Sequence, residues 1–333
     1  MTESGVPAAE GMIAIKGSRP KRRWAIVLLK IAISVGLLAL VARQTSWDRL
    51  SVRLRDIIVT DALLAWLPLA AVTFCVGFRW RVIAGAVARP VRFFDAWIVS
   101  TIGTGLDQVM VTLSGDAYRI WWLKKGAPSL VHAVAGVLLD RAAGVLGIVF
   151  LVLAFLPRFA SLESARGLVW VPAVLALTVL CGIAVLLFLD RARGDPSRNR
   201  WLARLGVFSA SARKVFLSPA TAIPVLAAAV LVHFGVAACI TSIAWALGIG
   251  LALGAALTVV PTVMLISLLP ISIGGWGVRE GAMVVGLGLV GIESSEALLI
   301  SVMYGLGAAA IGVSGGMFWL LGFPSEPART DQP

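Results

Sequence analysis

Six ionisable side chains stand where the sequence around them is strongly apolar. Asp116 and Arg119 lie in LSGDAYRIWW, Asp140 and Arg141 in VLLDRAAG, and Arg279 and Glu280 in GGWGVREG. In hydrocarbon each such group costs about 2.5–3.5 kcal/mol on insertion scales, so it persists where it pairs, lines water or acts. Each motif holds one acid and one arginine, which predicts three locally neutral pairs. The chemistry open to them is recognition of charge. Arg119, Arg141 and Arg279 have the planar fork that suits phosphate. Asp116, Asp140 and Glu280 can balance that charge, bind a cationic group or carry a proton.

Two of the three motifs follow a glycine break. Gly274, Gly275 and Gly277 permit backbone conformations with positive φ and close approach of a ligand. A helix is predicted to restart near Val278, presenting open N–H groups and a positive dipole end, which together favour an anion. Ser114, Gly115 and Asp116 form a similar lead into the helix carrying Arg119, with Ser114 as its N-cap. The GGWGVREG stretch reads as a phosphate-sized pocket at the tip of a re-entrant hairpin. Glycine pairs in apolar helices also mark close helix packing, and Asp140–Arg141 also fits a structural interhelical pair.

The elements that hold these residues follow from composition. Of 333 residues, 59% are apolar and 14% charged, against about a quarter charged in soluble domains. Mean hydropathy is +0.95. Apolar runs of roughly 20 residues recur, the length that crosses a bilayer core of about 30 Å. The chain reads as an all-α polytopic membrane protein. Crossings are predicted at 24–42, 57–78, 131–156, 168–189, 220–246 and 297–322. Segments of about 93–125 and 250–292 are apolar but broken, by STIGTG and LSGD in the first and PISIGGWG in the second.

Charge placement chooses between topologies. If both broken segments are re-entrant hairpins, 20 of the 29 Lys and Arg fall on the cytoplasmic side and six outside, as the positive-inside rule requires. Six full spans plus two re-entrant helical hairpins then form an inverted-topology repeat, with half-repeats 24–156 and 168–322 inside one transmembrane domain, 24–322. Such repeats place a site near the midplane. The basic tail 1–23 and the tail 323–333 are both cytoplasmic on this reading. The run Trp24–Ala42 after Lys21, Arg22 and Arg23 is too long for a signal peptide and reads as a retained span. SWDRLSVRLRDII and NRWLARLGVFSASARKVF read as amphipathic helices in the interface.

The net charge of +12 is absorbed by this topology signal, with anionic-lipid binding as the other reading of the same clusters; no nucleic-acid partner is implied. Cys75, Cys181 and Cys239 fall within apolar runs without CxxC spacing and read as buried free thiols. His132 and His233 have no partner at ligand spacing, so neither a metal nor another cofactor is predicted. Lys30 reads as snorkelling to the interface, and Trp121–Trp122 as an interface anchor.

These motifs carry a resemblance. LLPISIGGWGVREGAMV, SGDAYRIWWLKKG and VLLDRAAGVLGI, with the spacing between them, resemble the lysylphosphatidylglycerol synthase/flippase transmembrane domain family, over most of residues 24–322. The matching positions are Gly115, Asp116 and Arg119, then Asp140 and Arg141, then Pro270, Gly274, Gly275, Gly277, Arg279 and Glu280. One departure stands out. The family precedes its first motif with something like NxxLPxxxGGD; here DQVMVTLSGD lacks the proline and one glycine and is one residue shorter. A full synthase of the family also carries a soluble aminoacyl-transferring domain, which is not read in these 333 residues. The resemblance implies around eight membrane helical segments and a lipid translocase of a bacterial inner membrane, with membrane lipids as its partners. A membrane-embedded glycosyl or aminoacyl transferase and a non-catalytic membrane partner are the other readings. No Walker A motif is present, so coupling would be to a gradient or absent.

Overall fold

The computed structural model describes residues 59–109, 114–188, 200–268 and 277–323, besides Gly36. The predicted crossing at 24–42, the tail 1–23, the first amphipathic segment, Pro270, Gly274 and Gly275 lie outside the described residues. What is described is helical, as backbone in lipid must be when no closed barrel is formed. In chain order the helices are α1 (Val59–Leu64), α2 (Leu67–Val87), α3 (Phe93–Val109), α4 (Ser114–Lys124), α5 (Leu130–Ala160), α6 (Trp170–Phe188), α7 (Arg200–Phe216), α8 (Pro219–Ala246), α9 (Leu253–Ser267), α10 (Val278–Gly288) and α11 (Ser294–Leu320). Prolines at the starts of α2 and α8 sit where a missing N–H costs nothing.

Among the described residues, five helical stretches are long and apolar enough to cross a membrane: Val59–Val87, α5, α6, α8 and α11. Each overlaps a crossing read from the sequence. The chain is a multi-pass membrane protein. Its outward surface agrees, with Phe150, Leu177 and Val313 each more than 60% exposed, an apolar exterior that water would penalise.

Each broken segment holds two short helices packed on each other, a pair termed a hairpin below. In the first, α3 of 17 residues packs on α4 of 11. In the second, α9 of 15 residues packs on α10 of 11. No arm reaches the roughly 20 residues that a crossing needs. A Cβ on Gly115 would stand 2.0 Å from the Gly103 carbonyl oxygen, so the arms touch backbone to backbone. In the second hairpin Gly277, at φ 86°, makes the turn into α10, which starts at Val278 as predicted.

Helices distant in sequence meet in a reciprocal pattern: α3 lies on α11, and α9 on α5. α2 and α8 also pack on each other. A Cβ on Gly105 would meet the Gly312 carbonyl oxygen at 2.3 Å, and one on Gly315 the Thr101 carbonyl oxygen at 2.2 Å, so α3 and α11 join through small residues. The amphipathic segment before α8 is helical as expected: α7 buries Ser209, Ala212 and Val215 against its neighbours. Of the cysteines expected to be buried, Cys239 is; Cys75 is half-buried and Cys181 is exposed on α6.

Candidate functional site

The buried charges do pair, but not all within their motifs. Adjacent residues on a helix diverge by about 100°, so Asp140 and Arg141 leave α5 in different directions. Asp140 faces α2 and α4. It accepts from Arg79 Nε at 2.7 Å and from Arg119 Nη1 at 3.0 Å, and all three side chains are at most 8% exposed. Arg119 also donates Nη2 to Ser100 Oγ at 2.9 Å, and its guanidinium lies 5.1 Å over the Trp80 ring. Arg141 instead reaches the mouth of the first hairpin. Its Nε and Nη2 grip the Asp116 carboxylate at about 3.0 Å, and Nη2 also donates to Asp107 at 2.8 Å. The predicted pairs Asp116–Arg119 and Asp140–Arg141 are therefore corrected to Asp140 with Arg79 and Arg119, and Asp116 with Arg141.

Asp107 does a second job. Its other carboxylate oxygen accepts from the Gly115 N–H at 2.9 Å, at the start of α4. Ser114, expected to cap that helix, donates its hydroxyl to the Leu106 carbonyl at 2.9 Å. The cap comes from the opposite arm, which pins the hairpin's two ends together. Three arginines (79, 119, 141) meet three aspartates (107, 116, 140), so this network is neutral as a whole. Neutrality is what allows it to be buried, because an unpaired ion at this depth costs several kcal/mol.

The third motif keeps its predicted partner. Arg279 donates through Nε and Nη2 to Glu280, with Glu280 fully buried and Arg279 at 8% exposure. The other Glu280 oxygen accepts from the Gly277 N–H at 2.6 Å. The helix start expected to receive an outside anion is thus capped in part by its own carboxylate. Arg279 also lies 5.6 Å from the Tyr304 ring centroid.

Both groups approach one cavity of about 370 Å³, within the range of small-ligand sites. Helices of both halves line it, including α3 with Ser100 and Thr104, α5 with Arg141, α8 with His233 and α11 with Tyr304. Ser100 is Arg119's partner and Tyr304 lies beside Arg279, so each charged group touches a residue of the lining. Arg141 is the charged residue of the lining. Its side chain is 49% exposed; Nε and Nη2 are engaged, and among the described residues Nη1 has no hydrogen-bond partner. His233 brings Nε2 within 3.0 Å of the Gly144 carbonyl. Among the described residues no group of three His, Cys, Asp or Glu could hold a metal.

Ser114, Gly115, Asp116, Arg119, Asp140 and Arg141 thus come together in one network, and Gly277, Arg279 and Glu280 in a second. Sequence reasoning misses Arg79, Asp107, Ser100, His233 and Tyr304. Counting charges along the chain puts Arg79 and Arg119 in loops, yet both are buried within helices. The signal for Arg79 is FRWR: arginines two apart on a helix face opposite sides, and Arg81 is the exposed one. Trp122, grouped with Trp121 as an interface anchor, is buried at 5.7 Å from Trp80, whereas Trp121 is exposed.

No curated protein matches the chain. Residues 27–315, which contain every part of both charge networks, match the model of the lysylphosphatidylglycerol synthase TM region, and the chain belongs to that family of membrane proteins.

Proposed function

We propose that this protein is a lipid translocase, which carries a phospholipid or lipid-linked headgroup between leaflets of a bacterial inner membrane through the cavity between its hairpins. Family membership supports a function with membrane lipids. The observation that carries the finer reading is Arg141: a guanidinium half-exposed in a cavity built by both halves, held from one edge by Asp116 and Asp107 and open at Nη1. A fixed cation in a low-dielectric cavity is the feature that a phosphate needs in order to leave the headgroup region. The three aspartates keep that cation from dominating, so a headgroup is held weakly enough to leave again.

Arg119 and Arg79 hold Asp140 and with it the junction of α2, α4 and α5. They position Arg141 rather than touch the headgroup. Arg279 and Glu280 do the corresponding work beside Tyr304. The reciprocal packing of α3 on α11 and α9 on α5 supports two re-entrant hairpins related as an inverted repeat. Exchange between two arrangements of such halves gives alternating access. Both termini are cytoplasmic in this scheme.

The test is headgroup movement in vesicles holding purified full-length protein, read by quenching of headgroup-labelled lipids in the outer leaflet. Wild type is expected to exceed protein-free vesicles, and Arg141→Gln to lower the rate about tenfold or more, the loss of one charge-assisted phosphate contact. No movement above protein-free vesicles across anionic and cationic lipids overturns the reading. A covalently altered lipid in the same vesicles would replace translocation with group transfer.

A further inference from the structure

A second cavity, of about 430 Å³, lies on the other side of α10. It opens between the second hairpin, the end of α5 and the start of α6. Its α10 wall is made by Val278, Gly281, Ala282 and Val285, continuing to Leu289, and Val263 and Pro172 face it from α9 and α6. The wall positions recur at helical spacing, i, i+3, i+4, i+7, so they form one face of α10. The opposite face carries Arg279, Glu280 and Met283, all buried, with Arg279 beside Tyr304 of the polar cavity. One short helix therefore separates an apolar slot from a buried charged pair, whose Arg279 lies beside Tyr304 in the lining of the polar cavity.

Gly281 shows what the slot is shaped for. A glycine inside a helix weakens it relative to alanine, and close packing is the usual compensation. Gly286, one turn and a half further on, has it: a Cβ there would stand 2.6 Å from Val263. Gly281 does not. A Cβ on it would meet nothing within 4 Å, and its φ is not among the positive ones. Its missing side chain is kept as open volume in the cavity wall. The rim is open to hydrocarbon, since Val285 is 61% and Leu168 38% exposed. From Val278 to Leu289 the slot follows about 16 Å of helix, close to the depth of one leaflet, half of a core of about 30 Å.

We propose that this slot seats one hydrocarbon chain of a membrane lipid, with α10 as the partition between the tail and the cavity that takes the headgroup. The inference rests on the reading of the chain as a lipid translocase and adds where the tail travels. A lipid whose tail stays in an apolar slot while its headgroup moves through the polar cavity never exposes hydrocarbon to the charged network.

The test uses full-length protein in phosphatidylcholine vesicles with a trace of phospholipid carrying a diazirine on one acyl chain. After illumination, labelled residues are mapped by peptide mass spectrometry. Labelling is expected to concentrate on Val278, Ala282 and Val285 and on the start of α6. Gly281→Leu, which fills the open volume, is expected to lower that labelling about tenfold. Gly85→Leu, on α2, which takes no part in the slot, is expected to leave it unchanged; Gly85 too has nothing within 4 Å of a Cβ. Gly281→Ala gives an intermediate loss and serves if the leucine variant does not fold. Labelling that ignores the residue at 281, or spreads evenly over every lipid-facing helix, overturns the slot. Headgroup movement measured on the same vesicles separates the two proposals. Slot labelling that depends on Gly281 without headgroup movement keeps the slot and removes translocation. Headgroup movement with labelling independent of Gly281 does the reverse.

Discussion

The two hairpins differ in how they hold charge. In the first, no ion pair closes within its own helix: Asp140 of α5 takes one arginine from α2 and another from α4, and Arg141 takes aspartates from α3 and α4. In the second, Arg279 and Glu280 are neighbours on α10 and close on each other, with the Gly277 N–H drawn in. The first network therefore ties four elements into one body, while the second stabilises a single helix start. A cross-tied hairpin resists movement relative to α2 and α5, whereas the Arg279–Glu280 pair itself is kept through any shift of α10, because both partners ride on that helix.

The largest effect is expected where the ties converge. Asp140→Asn leaves Arg79 and Arg119 buried without their anion, and removing one partner of a buried pair costs about 3–5 kcal/mol. Thermal unfolding in detergent should show a large drop in melting temperature, much larger than for Glu280→Gln. The glutamine keeps an oxygen for the Gly277 N–H and removes only the negative charge facing Arg279. Equal losses in the two variants would remove the distinction between a network that crosses four elements and a pair carried on one helix.

Gly115→Ala comes next. The added Cβ would overlap the Gly103 carbonyl at 2.0 Å, so the arms of the first hairpin must part. Overpacking of this kind costs about 1–3 kcal/mol. The parting also pulls Gly115 N–H from Asp107, so protease cleavage between α3 and α4 should rise together with the loss of stability. A melting temperature unchanged from wild type would mean that the arms do not touch as described.

Much of this architecture is legible in the sequence, and the parts that are not share a cause. Long apolar runs must be helical in lipid, so the crossings at 131–156, 168–189, 220–246 and 297–322 reappear as α5, α6, α8 and α11. Gly277 marks the start of α10 because few other residues take φ 86°. Pairing is not legible. Taking neighbours in sequence as partners holds for Arg279–Glu280 and fails for Asp140–Arg141, because partner choice depends on which helices pack. The same ignorance of packing ends the second span at Phe78: Arg79 looks like a loop charge until Asp140 on α5 is known to face it.

A smaller effect concerns Asp107, which is 25% exposed on its side chain. Asp107→Asn still offers an oxygen to the Gly115 N–H, so stability should change by less than about 1 kcal/mol, as for exposed pairs. The network, however, loses its neutrality by one unit beside the cavity. Headgroup movement of anionic lipids should then change relative to zwitterionic ones by more than the melting temperature suggests. A parallel change in both lipids would mean that Asp107 is only a structural clip.

The smallest effect has the opposite sign. Gly281→Ala should raise stability by about 0.4–1 kcal/mol, since alanine suits a helix better and restricts the unfolded chain, and the space for its methyl group is open. At Gly115 the same substitution must destabilise. Two glycines that look alike in sequence, each beside a buried network or slot, are thus predicted to move the melting temperature in opposite directions. One exists because backbone lies against it, the other because nothing does. If both substitutions destabilise, Gly281 is a packing glycine and the second hairpin is held as tightly as the first.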